Sequence, residues 1–148
     1  MTTKVTNNTI HSAKVFLYKK DVENLFLVVQ EPEGLYGFVG GAQDEEDKTL
    51  RNTAVREIQE EINLTENSYT LTETPITYEF VHTDPKSNRY KKKGVLHAFI
   101  ARYNESEAIN LNPELLQYKW LTKEDVFKYI ADSYPYLAEV FQKVIDSI

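Results

Sequence analysis

With 148 residues, 41% hydrophobic and 27% charged, and with ten tyrosines and seven phenylalanines, the chain has a globular make-up. At that length one core hides roughly two-thirds of the unfolded surface, and residues 1–148 are expected to form a single domain. The absence of cysteine excludes disulfides, thiolate metal sites and a cysteine nucleophile, and a net charge of -6 argues against broad nucleic-acid binding.

The opening stretch, MTTKVTNNTI, lacks the charged-then-apolar layout of a signal peptide, and the longest apolar run, LFLVV, is far too short for a bilayer. A soluble, cytoplasmic protein without membrane contact is expected. HSAKVFLYKK and NLFLVVQ read as two strands of a hairpin joined by KKDVEN. LYGFVGG reads as one short aromatic strand ending in paired glycines. From Thr49, a candidate N-cap, to Ile62 the pattern becomes helical, with Leu50, Ala54, Ile58 and Ile62 on one stripe.

SYTLTETPITYEFVHT and KGVLHAFIARY alternate as strands, with Pro75 marking a bend or an edge. Between them lies a basic loop holding Lys86, Arg89, Lys91, Lys92 and Lys93. QYKWL is a further strand, TKEDVFKYIADS a helix capped by Thr122, and PYLAEVFQKVIDSI a closing helix opened by Pro135. This order predicts an α/β (α+β) fold, a mixed β-sheet with helices on its faces.

VREIQEEINL places Glu57, Glu60 and Glu61 at i, i+3 and i+4 near the helix C-terminus. The macrodipole there disfavours a carboxylate by about 0.3–1 kcal/mol. Repulsion within each like-charged pair adds roughly 0.2–0.5 kcal/mol. Arg56 offsets only part of this charge, so a divalent cation is the natural missing partner; clustered hard oxygens suit Mg²⁺, with Mn²⁺ as a substitute. Gly40 and Gly41, lacking a Cβ, let the backbone approach a ligand, and Asn63 stands where a left-handed residue ends the helix.

Gly41, Arg56, Glu57, Ile58, Glu60, Glu61 and Leu64 together resemble the Nudix box, Gly-x5-Glu-x7-Arg-Glu-U-x-Glu-Glu-x-Gly-U, where U is aliphatic. Asn63 replaces the late glycine, Lys48 holds the place of the first glutamate, and Gly41 lies one residue too far from Arg56. Whether Asp47 or Glu46 supplies the missing carboxylate is left open by the sequence. The resemblance implies a Nudix-type α/β/α sandwich and Mg²⁺-dependent pyrophosphohydrolysis of a nucleoside diphosphate-linked nucleotide.

It further implies metal ligation by the Gly41 carbonyl, Glu57, Glu60 and Glu61, with Arg56 orienting the glutamates. Glu60 is the first candidate for general base, Glu57 the second. Glu114 is a candidate from outside the box, because ELLQYKWL resembles the Glu-x4-Lys/Arg-Trp stretch of the diadenosine tetraphosphate and dihydroneopterin triphosphate hydrolases. That resemblance points to a dinucleoside polyphosphate or a nucleoside triphosphate as substrate. The alternatives are an RNA 5'-end pyrophosphohydrolase, prompted by the basic loop, and a noncatalytic nucleotide sensor.

Lys91, Lys92 and Lys93 are candidate phosphate contacts. Tyr36 and Phe38 are placed either to stack on a base or to pack in the core, and Tyr78, Tyr90 and Tyr118 are similarly open. His11, His82 and His97 show no metal-ligand spacing, and His97 reads as an ordinary strand residue. The sequence does not determine an oligomeric state.

Overall fold

Along the first long strand, β1 (Thr9–Lys20), side chains alternate, Ala13, Val15 and Leu17 facing one side of the sheet and Phe16 the other. In the computed structural model, which describes residues 2–148, β1 is central to a seven-stranded mixed sheet. It pairs antiparallel with β2 (Asn24–Gln30) and parallel with β6 (Lys93–Tyr103). β3 (Tyr36–Gly37) and β7 (Gln117–Leu121) pair with β2, β4 (Val39–Ala42) with β1, and β5 (Tyr69–Val81) lies at the edge against β6.

One sheet face packs on α1 (Leu50–Ile62), the other on α2 (Lys123–Ser133) and α3 (Tyr136–Asp146), so the expected α/β/α sandwich is observed. Ala54, Ile58 and Ile62, four residues apart, drive α1 onto Val15, Leu27 and Phe99. Thr49 caps this helix through a capping box with Asn52, and Asn63 ends it at φ 57, donating its N–H to the Gln59 carbonyl. Thr122 caps α2 by accepting the Asp125 N–H. Among the described residues no helix is long and apolar enough to cross a membrane.

Two expectations change. β1 runs on to Lys20 and β2 begins at Asn24, so the connection is Asp21–Glu23 rather than KKDVEN. LYGFVGG is two strands rather than one: Tyr36 pairs with Gln30 on β2, whereas Val39 pairs with Val15 on β1. Phe38 breaks the run by burying its ring 4.4 Å from Phe16 and 5.6 Å from Phe141. At Pro75 the β5–β6 register slips between Glu73 and Thr77, on the edge strand where a missing N–H costs least.

The change of partner along β1 positions a cleft. Ser12 to Val15 pair with β4, and Tyr18 to Lys20 pair with β2, so the sheet splits between these strands. Ile58 is fully buried beneath the split. Ile58→Ala is expected to cost about 3 kcal/mol in urea unfolding, the usual loss for a truncated core side chain; a loss below about 1 kcal/mol would show that α1 is not anchored there.

Candidate functional site

Two glycines let β4 press against α1. At Gly40, φ is 154 and a Cβ would strike the Ala13 carbonyl; at Gly41 a Cβ would fall inside the Glu57 carboxylate. With the backbone this close, the Gly40 N–H donates to Glu61 Oε2 at 2.9 Å. The loop that follows carries Asp47 into the interior. Its carboxylate accepts from the Asp44 N–H at 3.0 Å, the Thr53 hydroxyl at 3.0 Å and Arg56 Nη2 at 2.9 Å. Glu46 and Lys48 are exposed, so Asp47 supplies the carboxylate that the sequence left unassigned.

Arg56 turns this buried charge into a support for the helix glutamates. Nη1 donates to Glu57 Oε1 and to Glu60 Oε2, each at 3.1 Å, while Nη2 also donates to the Ala42 carbonyl at 3.1 Å. The hydrogen bond to Asp47 chiefly holds the guanidinium well above its ordinary range. Burial would raise the Asp47 carboxyl, but Arg56, the Asp44 N–H and Thr53 outweigh it and leave it below the usual carboxylate value. Glu61 goes the other way: burial and the Glu57 charge push it up to about 8, against the Gly40 N–H and Lys14.

These groups border a cavity of about 450 Å³ lined by five glutamates, Glu31, Glu57, Glu60, Glu61 and Glu114, and by one lysine, Lys14. Burial lowers Lys14, opposed by the charges of Glu61, Glu31 and Glu57. Glu114 reaches the cavity on a loop fastened to the end of α1. The Asn112 N–H donates to the Glu61 carbonyl at 2.9 Å, Asn112 Nδ2 to the Glu60 carbonyl at 3.2 Å, and the Asn110 N–H to the Ile62 carbonyl at 3.1 Å. The last carbonyls of the helix are thereby satisfied, and the Glu114 N–H is held on Asn112 Oδ1 at 2.9 Å.

Hard oxygens in this excess fit a divalent cation by donor chemistry, and the close approach of Gly41 to Glu57 leaves the backbone beside the carboxylates. Among the described residues, however, no three Asp, Glu or His side chains are already gathered as a metal cage. Glu60 is 45% exposed and engaged with Arg56.

Not every candidate converges here. Lys91, Lys92 and Lys93 do not line the cavity: Lys93 pairs with Glu79 at 3.0 Å, Lys92 donates to the Asn88 carbonyl, and Lys91 lies over the Tyr90 ring. Lys93 pairs with Thr9, five residues along β1 from Lys14, a separation of roughly 16 Å at the rise of a strand. Tyr36 is also outside it, its hydroxyl accepting from Gln117 and its ring edge-on to Tyr129 at 4.8 Å. Phe38 does line the cavity, as part of the core.

Lys14, Glu31, Tyr134 and Tyr136 line the cavity but escaped the sequence reading, because each belongs to an unremarkable strand, turn or helix end and only the fold brings them to α1. His97 is not solitary: its Nε2 lies 2.9 Å from Nδ1 of His11 on the neighbouring strand. The parallel register of β1 and β6 creates that pair, which sequence spacing does not reveal.

A mixed sheet between helix layers, split beside a diglycine strand and an acidic helix, defines an α/β/α protein with an acidic cleft. The chain belongs to the Nudix family: the NUDIX domain model matches residues 10–143. Its fold is that of Nudix hydrolases. The E. coli dihydroneopterin triphosphate pyrophosphohydrolase is 21% identical with a TM-score of 0.76, covering 98% of this chain and 100% of that one. A C. elegans Ap4A hydrolase in a binary complex is 23% identical with a TM-score of 0.72, covering 91% and 96%.

The Nudix domain of Shewanella oneidensis NrtR, in complex with ADP-ribose, is 19% identical with a TM-score of 0.67, covering 93% and 88%. At these identities the likeness is one of fold. No curated protein matches the sequence.

The lowered Asp47 carboxyl has a signed consequence. Its contribution to stability is present above the unfolded value of about 4 and is lost as pH falls through the lower folded value. Asp47→Asn is therefore expected to cost about 2 kcal/mol at pH 7, the worth of a hydrogen bond to a charged partner, and to cost less below pH 4. Urea unfolding of both proteins across pH measures this; a cost that does not shrink in acid would contradict the ion pair.

Proposed function

We propose that this protein hydrolyses a phosphoanhydride bond in a nucleoside diphosphate-linked substrate, with a dinucleoside polyphosphate or a nucleoside triphosphate as the class. The observation that carries the reading is the charge balance of the cavity, five glutamates against one lysine, with Arg56 bracing two of them from outside. A bare polyphosphate could not enter such a cavity unaided. The fold neighbours named as acting on Ap4A and on dihydroneopterin triphosphate support that substrate class.

Glu57, Glu60, Glu61 and the Gly41 carbonyl would hold Mg²⁺, or Mn²⁺ in its place. Bound cations of this kind neutralise the phosphates and make water a better nucleophile near neutral pH. Arg56 keeps Glu57 and Glu60 oriented through its shared Nη1, and Asp47 fixes Arg56. Lys14, the single cation lining the cavity, contacts a phosphate oxygen. The proton of the attacking water goes to Glu60, with Glu57 the second candidate and Glu114, across the same cavity, the one from outside the box.

Phosphate and pyrophosphate release from nucleoside triphosphates, dinucleoside polyphosphates, ADP-ribose and nucleotide sugars tests this. Mg²⁺-dependent turnover is expected, and Glu60→Gln is expected to lower kcat by at least about a hundredfold with an unchanged melting curve. Near-normal Glu60→Gln together with an inactive Glu114→Gln would move the base to Glu114. Saturable nucleotide binding without turnover would instead make the protein a sensor.

A further inference from the structure

A second group of side chains, from other elements, lines the same cavity. Glu31 follows β2 in a turn closed by its own backbone, its N–H donating to the Leu35 carbonyl and its carbonyl accepting from Gly34, both at 2.8 Å. Tyr134, the C-cap of α2, and Tyr136, the first residue of α3, flank Pro135. The Tyr134 hydroxyl donates to Glu31 Oε1 at 2.6 Å, fixing the carboxylate beside its ring. Tyr136 is held stacked on Tyr78, centroids 5.0 Å apart and planes at 23°. Among the described residues, Glu31 Oε2 has no hydrogen-bond partner and no cation pairs with Glu31, while Lys14 donates to the Phe38 carbonyl.

Resting on the hydrolase reading above, we propose that Glu31 reads the heterocycle of the substrate. Its carboxylate accepts the two adjacent N–H groups of a 2-amino-4-oxopyrimidine edge, the edge of guanine and of pterins, with the ring against Tyr134 and Tyr136. An ionised carboxylate is an acceptor only, and it repels phosphate, so a half-buried one held in place beside aromatic rings suits a donor-bearing planar group. Adenine and cytosine would oppose a ring-nitrogen lone pair to it beside their single amino donor, and uracil offers one donor flanked by acceptors. Such partners leave a fixed acceptor unpaired, which is how a site rejects an analogue. The rival role is a fifth carboxylate for the phosphate end, which would ignore the base.

The test is steady-state hydrolysis with Mg²⁺ of GTP, ITP (which lacks only the 2-amino group), ATP and a pterin triphosphate, by the wild type and Glu31→Gln. The wild type is expected to favour GTP over ITP by at least about tenfold in kcat/KM, and ATP is expected to be poorer still. Glu31→Gln is expected to bring GTP and ITP within about threefold, mostly by raising KM for GTP with kcat little changed. Preference for the pterin triphosphate over GTP, or the reverse, says which molecule carries the edge.

Equal use of GTP and ITP by the wild type would overturn the proposal. So would a Glu31→Gln loss of the same size on every substrate. If nothing is hydrolysed, the hydrolase reading fails first, and calorimetric binding of GDP against IDP to the same two proteins still decides the base reading: a GDP preference lost in Glu31→Gln upholds it, and equal affinities end it.

Discussion

Arg56 spreads one guanidinium over Asp47, the Ala42 carbonyl, Glu57 and Glu60, and the acidic end of α1 depends on that arrangement. Each like-charged pair on the helix costs roughly 0.2–0.5 kcal/mol, the exposed Arg56–Glu60 pair returns about as much, and the buried hydrogen bonds to Asp47 contribute about 1.5–3 kcal/mol each, so the support outweighs the repulsion. It does not cancel the charge. Arg56 alone forms ion pairs with Asp47, Glu57 and Glu60 among the described residues, while Glu61 is held by the Gly40 N–H and feels the charge of Lys14. The helix is stable enough to hold the carboxylates and is left with charge to share with a ligand.

The rest of the fold serves that helix end. The split between β2 and β4 opens space beside it, the two glycines bring β4 against it, and the Asn110–Asn112 loop satisfies its last carbonyls. Because that loop also carries Glu114, capping the helix and placing a further carboxylate are one structural act. The cavity then joins acidic side chains from α1 to aromatic ones beside Pro135, a combination suited to a molecule with a charged chain and a flat ring.

Local rules made much of this legible. α1 was readable from residue 50 to 62 because Thr49, the four-residue spacing of Ala54, Ile58 and Ile62, and Asn63 all agree. β2 is readable as a short apolar run bounded by polar residues, β6 from alternation, and β7 as a short strand-prone segment. What escaped depends on long-range pairing. Phe38 breaks LYGFVGG only because Phe16 and Phe141 await it, and His11 meets His97 only in a parallel register. The charge of the basic loop is visible in the sequence, but its position along β1, away from the cavity lining, is not. Lys14 and Glu31 are a strand lysine and a turn glutamate until the sheet splits beside them.

The proposed function requires the carboxylate nest of α1 to take up a divalent cation in place of a proton. Burial and the neighbouring Glu57 charge favour the protonated form of Glu61, and a cation that displaces such a proton must release it. Calorimetric titration with Mg²⁺ or Mn²⁺ in buffers of different ionisation enthalpy counts the protons. Saturable binding accompanied by proton release near neutral pH is expected, with the proton release absent in Glu61→Gln. Saturable binding with no proton released, or binding unchanged in Glu61→Gln, would contradict it.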